Sequence, residues 1–267
     1  MNGTMANPID ETFTALADRN EKALIAYIMA GDPSLEKTAA YVGALTKGGA
    51  DIIELGMPFS DPIADGPVIQ RAAQRALRIG TNIRLILETV MAVRKTSAVP
   101  VVLMGYVNPL IKYGVEGFFR DAAASGVNGV ILPDVPLEEI RHIRGHADRA
   151  GVYIIMLAAP TSGPKRLLQL ARHTKGFLYY ISLTGVTGSS KTIDDAVLDG
   201  IGRVKAHTHI PVMVGFGIST PEQAGQVARA ADGIVVGSAF VKLIEAHPDA
   251  LNALSALAHS LKSAMKS

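Results

Sequence analysis

Eight short apolar runs recur along this chain of 267 residues. They are Ala23–Met29, Asp51–Leu55, Val99–Gly105, Gly129–Leu132, Val152–Leu157, Phe177–Leu183, Ile210–Gly215 and Gly233–Val236. Most are rich in Val and Ile and are bounded by Gly or Pro, as buried strands are. They are near-continuously apolar rather than alternating, so both faces of each strand are expected to be covered. Sheets covered on both faces are parallel, because the crossover helices pack on them. Helical spacing and helix formers fill the intervening segments, among them Ser34–Lys47, Asn82–Thr96, Val115–Ser125, Leu137–Ala150 and Pro221–Ala230. Eight successive strand–loop–helix units predict an α/β protein, a single (β/α)8 TIM barrel with an extra N-terminal helix. About 250 residues is the usual length of such a barrel. An open doubly wound sheet is the structural alternative, and the regularity of eight units favours closure.

No Pro/Gly/Ser linker or charge block divides these units, so residues 1–267 are expected to form one domain. Residues 1–12 are polar and read as a leader ahead of the first helix, without the basic-then-apolar layout of a signal peptide. Asp249–Lys262 is amphipathic and is expected to be the last outer helix. No apolar run is long enough to span a membrane, and a cytoplasmic location is the expectation. The net charge of +2, with 19% charged residues, is too even to argue for nucleic acid or an acidic membrane surface. With no cysteine, disulfides, thiolate chemistry and cysteine-ligated metals are excluded.

Barrels of this kind place their active sites on the loops after the carboxy-terminal strand ends. There the second run leads into Glu54-Leu-Gly-Met-Pro-Phe-Ser-Asp61-Pro-Ile-Ala-Asp65-Gly-Pro. A carboxylate in an apolar strand loses solvation, so Glu54 is either paired with an Arg or Lys or has a raised pKa. The second case makes it a candidate general acid/base. Asp65 is read two ways, as a cap for the helix opening near Gly66 or as a second acidic group at the site. Asp61, before Pro62, has the same ambiguity with a turn role.

Glycine-bearing turns follow the late strands: Thr184–Ser190, Gly215–Ser219 and Gly237–Ala239. Glycine lets a backbone approach an anion closely. A helix starting near Ser238 would add its positive end. Together the turns point to a phosphorylated ligand; each alone could serve only a tight turn. Tyr179 and Tyr180 are adjacent in a strand, so one faces inward and the other toward the helices. Met104, Met156 and Met213 read as core filler. His142 and His146 share a helix face, but an outer one, so no metal site is expected. His207 and His209 flank the start of the seventh run and are expected to be structural.

The motifs ELGMPFSDPIADGP (54–67), LMGYVNP (103–109), LPDVPLE (132–138), APTS (159–162), YISLTGVTG (180–188), GFGIS (215–219) and GSAF (237–240) fall in order along the chain. Together they resemble the α-subunit family of tryptophan synthase, from about Ala23 to Glu245. Leu183, Gly105 and Val107 depart from the family pattern without touching the acidic pair. The resemblance implies a lyase that cleaves indole-3-glycerol phosphate to indole and glyceraldehyde 3-phosphate, with Glu54 and Asp65 as the catalytic pair. It implies that Tyr179 lines the site and that Tyr27, Leu103 and Phe216 border the indole pocket. Phosphate would be held at Gly188, Gly217, Gly237 and Ser238. Pro58, Asp61 and Asn108 match positions that face a β subunit in an α2β2 heterotetramer. No cofactor is expected in this chain; pyridoxal phosphate would reside in the β subunit. The segment Gly185–Asp195 is expected to close over the ligand.

Three other functions share these features. A stand-alone lyase would release indole without a partner. A phosphosugar aldolase or isomerase would use the same barrel, although the sixth run lacks a Schiff-base lysine. A non-catalytic barrel would bind a phosphate ligand and only regulate a partner, against which the intact acidic pair argues.

Overall fold

The computed structural model describes residues 6–181, 193–215 and 217–266. After α1 (Pro8–Asp18), the first half runs β1 (Ala23–Met29), α2 (Leu35–Lys47), β2 (Ile52–Gly56), α3 (Pro67–Arg78), α4 (Ile83–Arg94), β3 (Val101–Met104), α5 (Val107–Tyr113), α6 (Val115–Ser125) and β4 (Gly129–Ile131). The second half runs α7 (Arg141–Ala150), β5 (Tyr153–Ile155), β6 (Leu157–Ala158), α8 (Pro164–His173), β7 (Leu178–Ile181), α9 (Asp195–Lys205), β8 (Val212–Gly215), α10 (Pro221–Ala230), β9 (Gly233–Val236), α11 (Ser238–Ala246) and α12 (Leu251–Ala264).

The strands form one sheet in the order β5-β4-β3-β2-β1-β9-β8-β7-β6, with parallel pairings throughout. Only Met156 separates β5 from β6. Its N–H turns aside to donate to the Thr174 hydroxyl (3.0 Å), while its carbonyl accepts from the Tyr179 N–H (3.0 Å). β5 and β6 are therefore two halves of one strand. Pairing with β4 on one side and β7 on the other closes the sheet into the eight-stranded barrel expected from the sequence.

Strand side chains alternate between two apolar layers. Leu24, Ala26, Ile28, Ile53, Leu55 and Leu103 pack outward against the helices. Ala23, Ile25, Ile52, Val102, Ile155 and Met213 fill the barrel interior. Local chemistry sets many helix starts. Ser34 and Asn82 accept the Lys37 and Leu85 N–H groups, and α10 opens with a capping box between Thr220 and Gln223.

The amino terminus corrects one expectation. Helix α1 begins at Pro8, so residues 8–12 are not leader. Asn7 caps it by accepting the Ile9 N–H, and its amide donates to the carbonyls of Asn128 (3.0 Å) and Gly151 (3.2 Å). The polar residues Asp10 and Glu11 complement the positive helix end. Ile9, fully buried, plugs the lower barrel mouth: a Cβ at Gly176 would lie 2.8 Å from its side chain. Helix α7 likewise starts at Arg141 rather than Leu137, because the Pro136 carbonyl engages the Glu139 and Ile140 N–H groups in a turn first.

Three units carry an additional helix at the catalytic end. β2 is followed by α3 as well as α4, β3 by α5 as well as α6, and β9 by α11 as well as α12. Ala72, Ala73 and Ala76 of α3 pack with Tyr27 and Met29 of β1 and Val241 of α11. This small core roofs one side of the site.

Candidate active site

Glu54 follows Ile52 by two residues and so shares its inward side of β2. Its side chain enters the barrel just below the catalytic mouth. It is 1% exposed, and neither carboxylate oxygen has a hydrogen-bond partner among the described residues. The alternative of a carboxylate paired with Arg or Lys is thus excluded among them. Burial, and secondarily the charge of Asp65, pushes the Glu54 carboxyl from 4.5 to about 8.

Asp65 is not a helix cap. The N-cap of α3 is Gly66, with no side-chain cap bond. The Asp65 carboxylate instead accepts from the Tyr106 hydroxyl. That hydroxyl in turn accepts the Ala64 N–H (3.0 Å), and the Gln70 amide donates to the Asp65 carbonyl (2.8 Å). Burial raises the Asp65 pKa, and the Tyr106 bond opposes the rise. The two acids therefore differ: one is bare, the other is held by a donor.

Both line a cavity of about 190 Å³. Tyr27 and Tyr179 line it too, their hydroxyl pKa values driven well up by burial, so both are protonated donors. Two strand-end glycines make room for these rings. A Cβ at Gly56 would lie 2.3 Å from the Tyr27 hydroxyl oxygen, and one at Gly215 would lie 2.6 Å from that of Tyr179. Gly217, Gly237 and Ser238 complete the wall. Gly217 has φ +70° with open space beside it, a conformation L side chains rarely adopt. Gly237 is the N-cap of α11, so the positive end of that helix opens on the cavity.

Several expectations are corrected. Leu103 does not reach the cavity; it is fully buried on the helix side of β3. Its neighbour Met104 lines the cavity instead of filling the core, because adjacent strand residues point to opposite faces. Pro58 is buried within this chain alone, whereas Asp61 and Asn108 are exposed. Gly188, Phe216 and most of the segment 185–195 lie outside the described residues. Of the tyrosine pair, Tyr179 faces the interior and Tyr180 the helices, where a Cβ at Gly200 would lie 2.2 Å from its hydroxyl oxygen. Tyr106, Ile69 and Ile181 were not anticipated. Period two along β7 from Tyr179 would have found Ile181; the other two depend on how loops fold back.

A closed parallel barrel with a neutral, desolvated carboxyl group at the carboxy-terminal end of a central strand defines a class: (β/α)8-barrel enzymes that work by acid–base chemistry. Comparison with known proteins narrows it. Residues 13–267 match the family model "Tryptophan synthase alpha chain". The tryptophan synthase alpha chain of Geotalea uraniireducens is 50% identical over 89% of each chain, and that of Geobacter sulfurreducens 50% over 88% of this chain and 89% of its own. A solved tryptophan synthase subunit alpha from Legionella pneumophila superposes with a TM-score of 0.91 at 41% identity, covering 97% of this chain and 98% of the other. The chain belongs to the tryptophan synthase alpha chain family. It is a lyase of that family's reaction, cleavage of indole-3-glycerol phosphate in tryptophan biosynthesis. The alpha chain needs no cofactor of its own; the family's β subunit holds pyridoxal phosphate and joins it in an α2β2 complex.

Proposed function

We propose that Glu54 is the general acid and then the general base of the retro-aldol cleavage, with Asp65 as its electrostatic partner. The bond to be broken joins indole C3 to the glycerol carbon. Indole leaves once C3 is protonated, because the non-aromatic ring then accepts the bonding electrons. Glu54 delivers that proton and next takes one from the adjacent side-chain hydroxyl, which becomes the aldehyde. Asp65 accepts a hydrogen bond from the indole N–H and stabilises the positive charge growing on the ring. The observation carrying this reading is a buried, unpartnered Glu54 with a pKa of about 8. At neutral pH it holds a proton that a free glutamate would have lost.

Gly217, Gly237 and Ser238 bind the phosphate through backbone N–H groups and the α11 amino terminus, as helix starts bind anions. Gly188 and Phe216 keep their proposed phosphate and indole roles. Tyr27, Met104 and Tyr179 border the indole end. Asp61 and Asn108 offer exposed surface to the β subunit, whereas Pro58 is buried within this chain. The proposed location is the cytoplasm, which suits an enzyme of tryptophan biosynthesis; no described helix is long and apolar enough to cross a membrane.

Indole release from indole-3-glycerol phosphate, with and without β subunit, tests the reading. Glu54→Gln should lose activity by about 10²–10⁴-fold while still binding glycerol 3-phosphate. Full turnover by a folded Glu54→Gln protein would remove Glu54 from the mechanism. Activation by the β subunit separates a synthase subunit from a stand-alone lyase.

A further inference from the structure

The described ion pairs include one network that ties three elements together at the catalytic end. Asp32, in the loop after β1, is 3% exposed, and both its oxygens are held by the Arg75 guanidinium of α3 (2.7 and 2.8 Å). The free arm of Arg75 reaches Glu245 of α11 at 2.7 Å. Arg71, one turn earlier on the same face of α3, makes two further bonds to Glu245 at 3.0 Å each. A single planar guanidinium bonded to two carboxylates fixes both distance and angle between the elements that carry them.

These elements are the ones that present the site. α3 begins directly after Asp65, and Ile69 in its first turn lines the cavity. α11 begins at Ser238, also in the cavity wall, and Tyr27 lies on β1 just before Asp32. The apolar contact between α3 and α11 is built on Ala72, Ala73, Ala76 and Val241, with Val68 and Ile69 of α3 packed against it. The alanines present little relief to interlock, and the ion pairs add directional contacts between the two helices. Stability alone accounts poorly for the outer bonds. The Arg71 and Glu245 side chains are 50% and 31% exposed, and ion pairs at such positions contribute little to folding.

We infer that Arg75, with Asp32, Glu245 and Arg71, is a positioning clamp that sets Asp65 against the α11 amino terminus, so that filling either end of the cavity tightens binding at the other. This rests on the roles proposed above for Asp65 and for α11. A ligand on the α11 amino terminus steadies that helix, the clamp steadies α3, and Asp65 meets the second ligand already placed. By linkage the effect is reciprocal.

Calorimetric titration of the purified chain with indole, with and without saturating sn-glycerol 3-phosphate, reads the clamp directly. The alcohol lacks the aldehyde needed for recombination, so only binding is measured. Wild type should bind indole about 5-fold or more tightly when the phosphate ligand is present. Glu245→Gln leaves the buried Asp32–Arg75 pair intact and should bring that ratio to about one, with the melting temperature nearly unchanged. Arg75→Met should also bring the ratio to about one, but with a lower melting temperature because it leaves Asp32 buried without its partner, and Arg75→Lys should restore part of the ratio. If Glu245→Gln folds poorly, Arg71→Gln removes only the exposed arm, leaves Arg75 bridging Asp32 and Glu245, and should lower the ratio part of the way. A wild-type ratio near one, or an unchanged ratio in Glu245→Gln with both ligands bound, overturns the clamp alone. Failure of sn-glycerol 3-phosphate to bind, or binding untouched by Gly237→Asp, overturns the proposed phosphate site and the clamp with it.

Discussion

Burial raises the Glu54 carboxyl to about 8 and leaves both its oxygens unbonded among the described residues, so this residue links stability to pH. Its folded pKa lies above the ordinary 4.5, so the folded state binds the proton more tightly. Its contribution is therefore most favourable below pH 4.5, declines as pH rises, and is lost once pH passes about 8. At about 1.4 kcal/mol per pKa unit, the change across that window is a few kcal/mol. Glu54→Gln removes the penalty. Its melting temperature should equal that of wild type near pH 4.5 and exceed it above pH 8; a constant difference at all pH values would contradict the assigned shift. For the same reason kcat/KM of wild type should fall above about pH 8, where the proposed general acid is spent. Glu54 was legible in the sequence because a charge inside an apolar strand is conspicuous. The donor that distinguishes Asp65 was not: Tyr106 lies 41 positions away, and only the fold brings its hydroxyl to the carboxylate.

On strand β3 the pair Leu103 and Met104 shows how an element divides its work. Leu103 packs against the helices and Met104 against the ligand cavity. Leu103→Ala should cost about 2–5 kcal/mol of stability and leave KM for the substrate nearly unchanged. Met104→Ala should change KM with a smaller stability loss. Denaturant melts combined with steady-state kinetics check both, and a reversal of the two patterns would contradict the assigned strand faces. Motif resemblance selected Leu103, whereas period two counted from Val102 selects Met104. Helix α1 offers a second case. Its polar residues made residues 8–12 look like leader, but one face carries Ile9, Phe13 and Leu16 into the barrel floor. Ile9→Ala should lower stability by about 2–5 kcal/mol without altering indole affinity, because it acts at the end of the barrel opposite the site.

Closure is the property of the whole molecule on which the site depends. Glu54 on β2, Tyr179 on β7 and Gly237 after β9 converge only because the sheet returns on itself through the divided strand at Met156. One closed barrel should unfold in one cooperative transition, with calorimetric and van't Hoff enthalpies equal. Two resolved transitions would contradict the one-domain reading. The sequence by itself determined the eight strands, their parallel order, the place of Glu54 at the end of an apolar strand and the glycine turns after the late strands. Each of these follows from patterns over a few neighbouring residues, where backbone geometry and side-chain period act. Tertiary structure alone decided that Glu54 has no partner, that Tyr106 holds Asp65, that Gly56 and Gly215 clear space for tyrosine hydroxyls, and that Arg75 joins Asp32 to Glu245. Those facts concern atoms on separate elements. Their desolvation, hydrogen bonding and steric room arise only when the chain has closed around them.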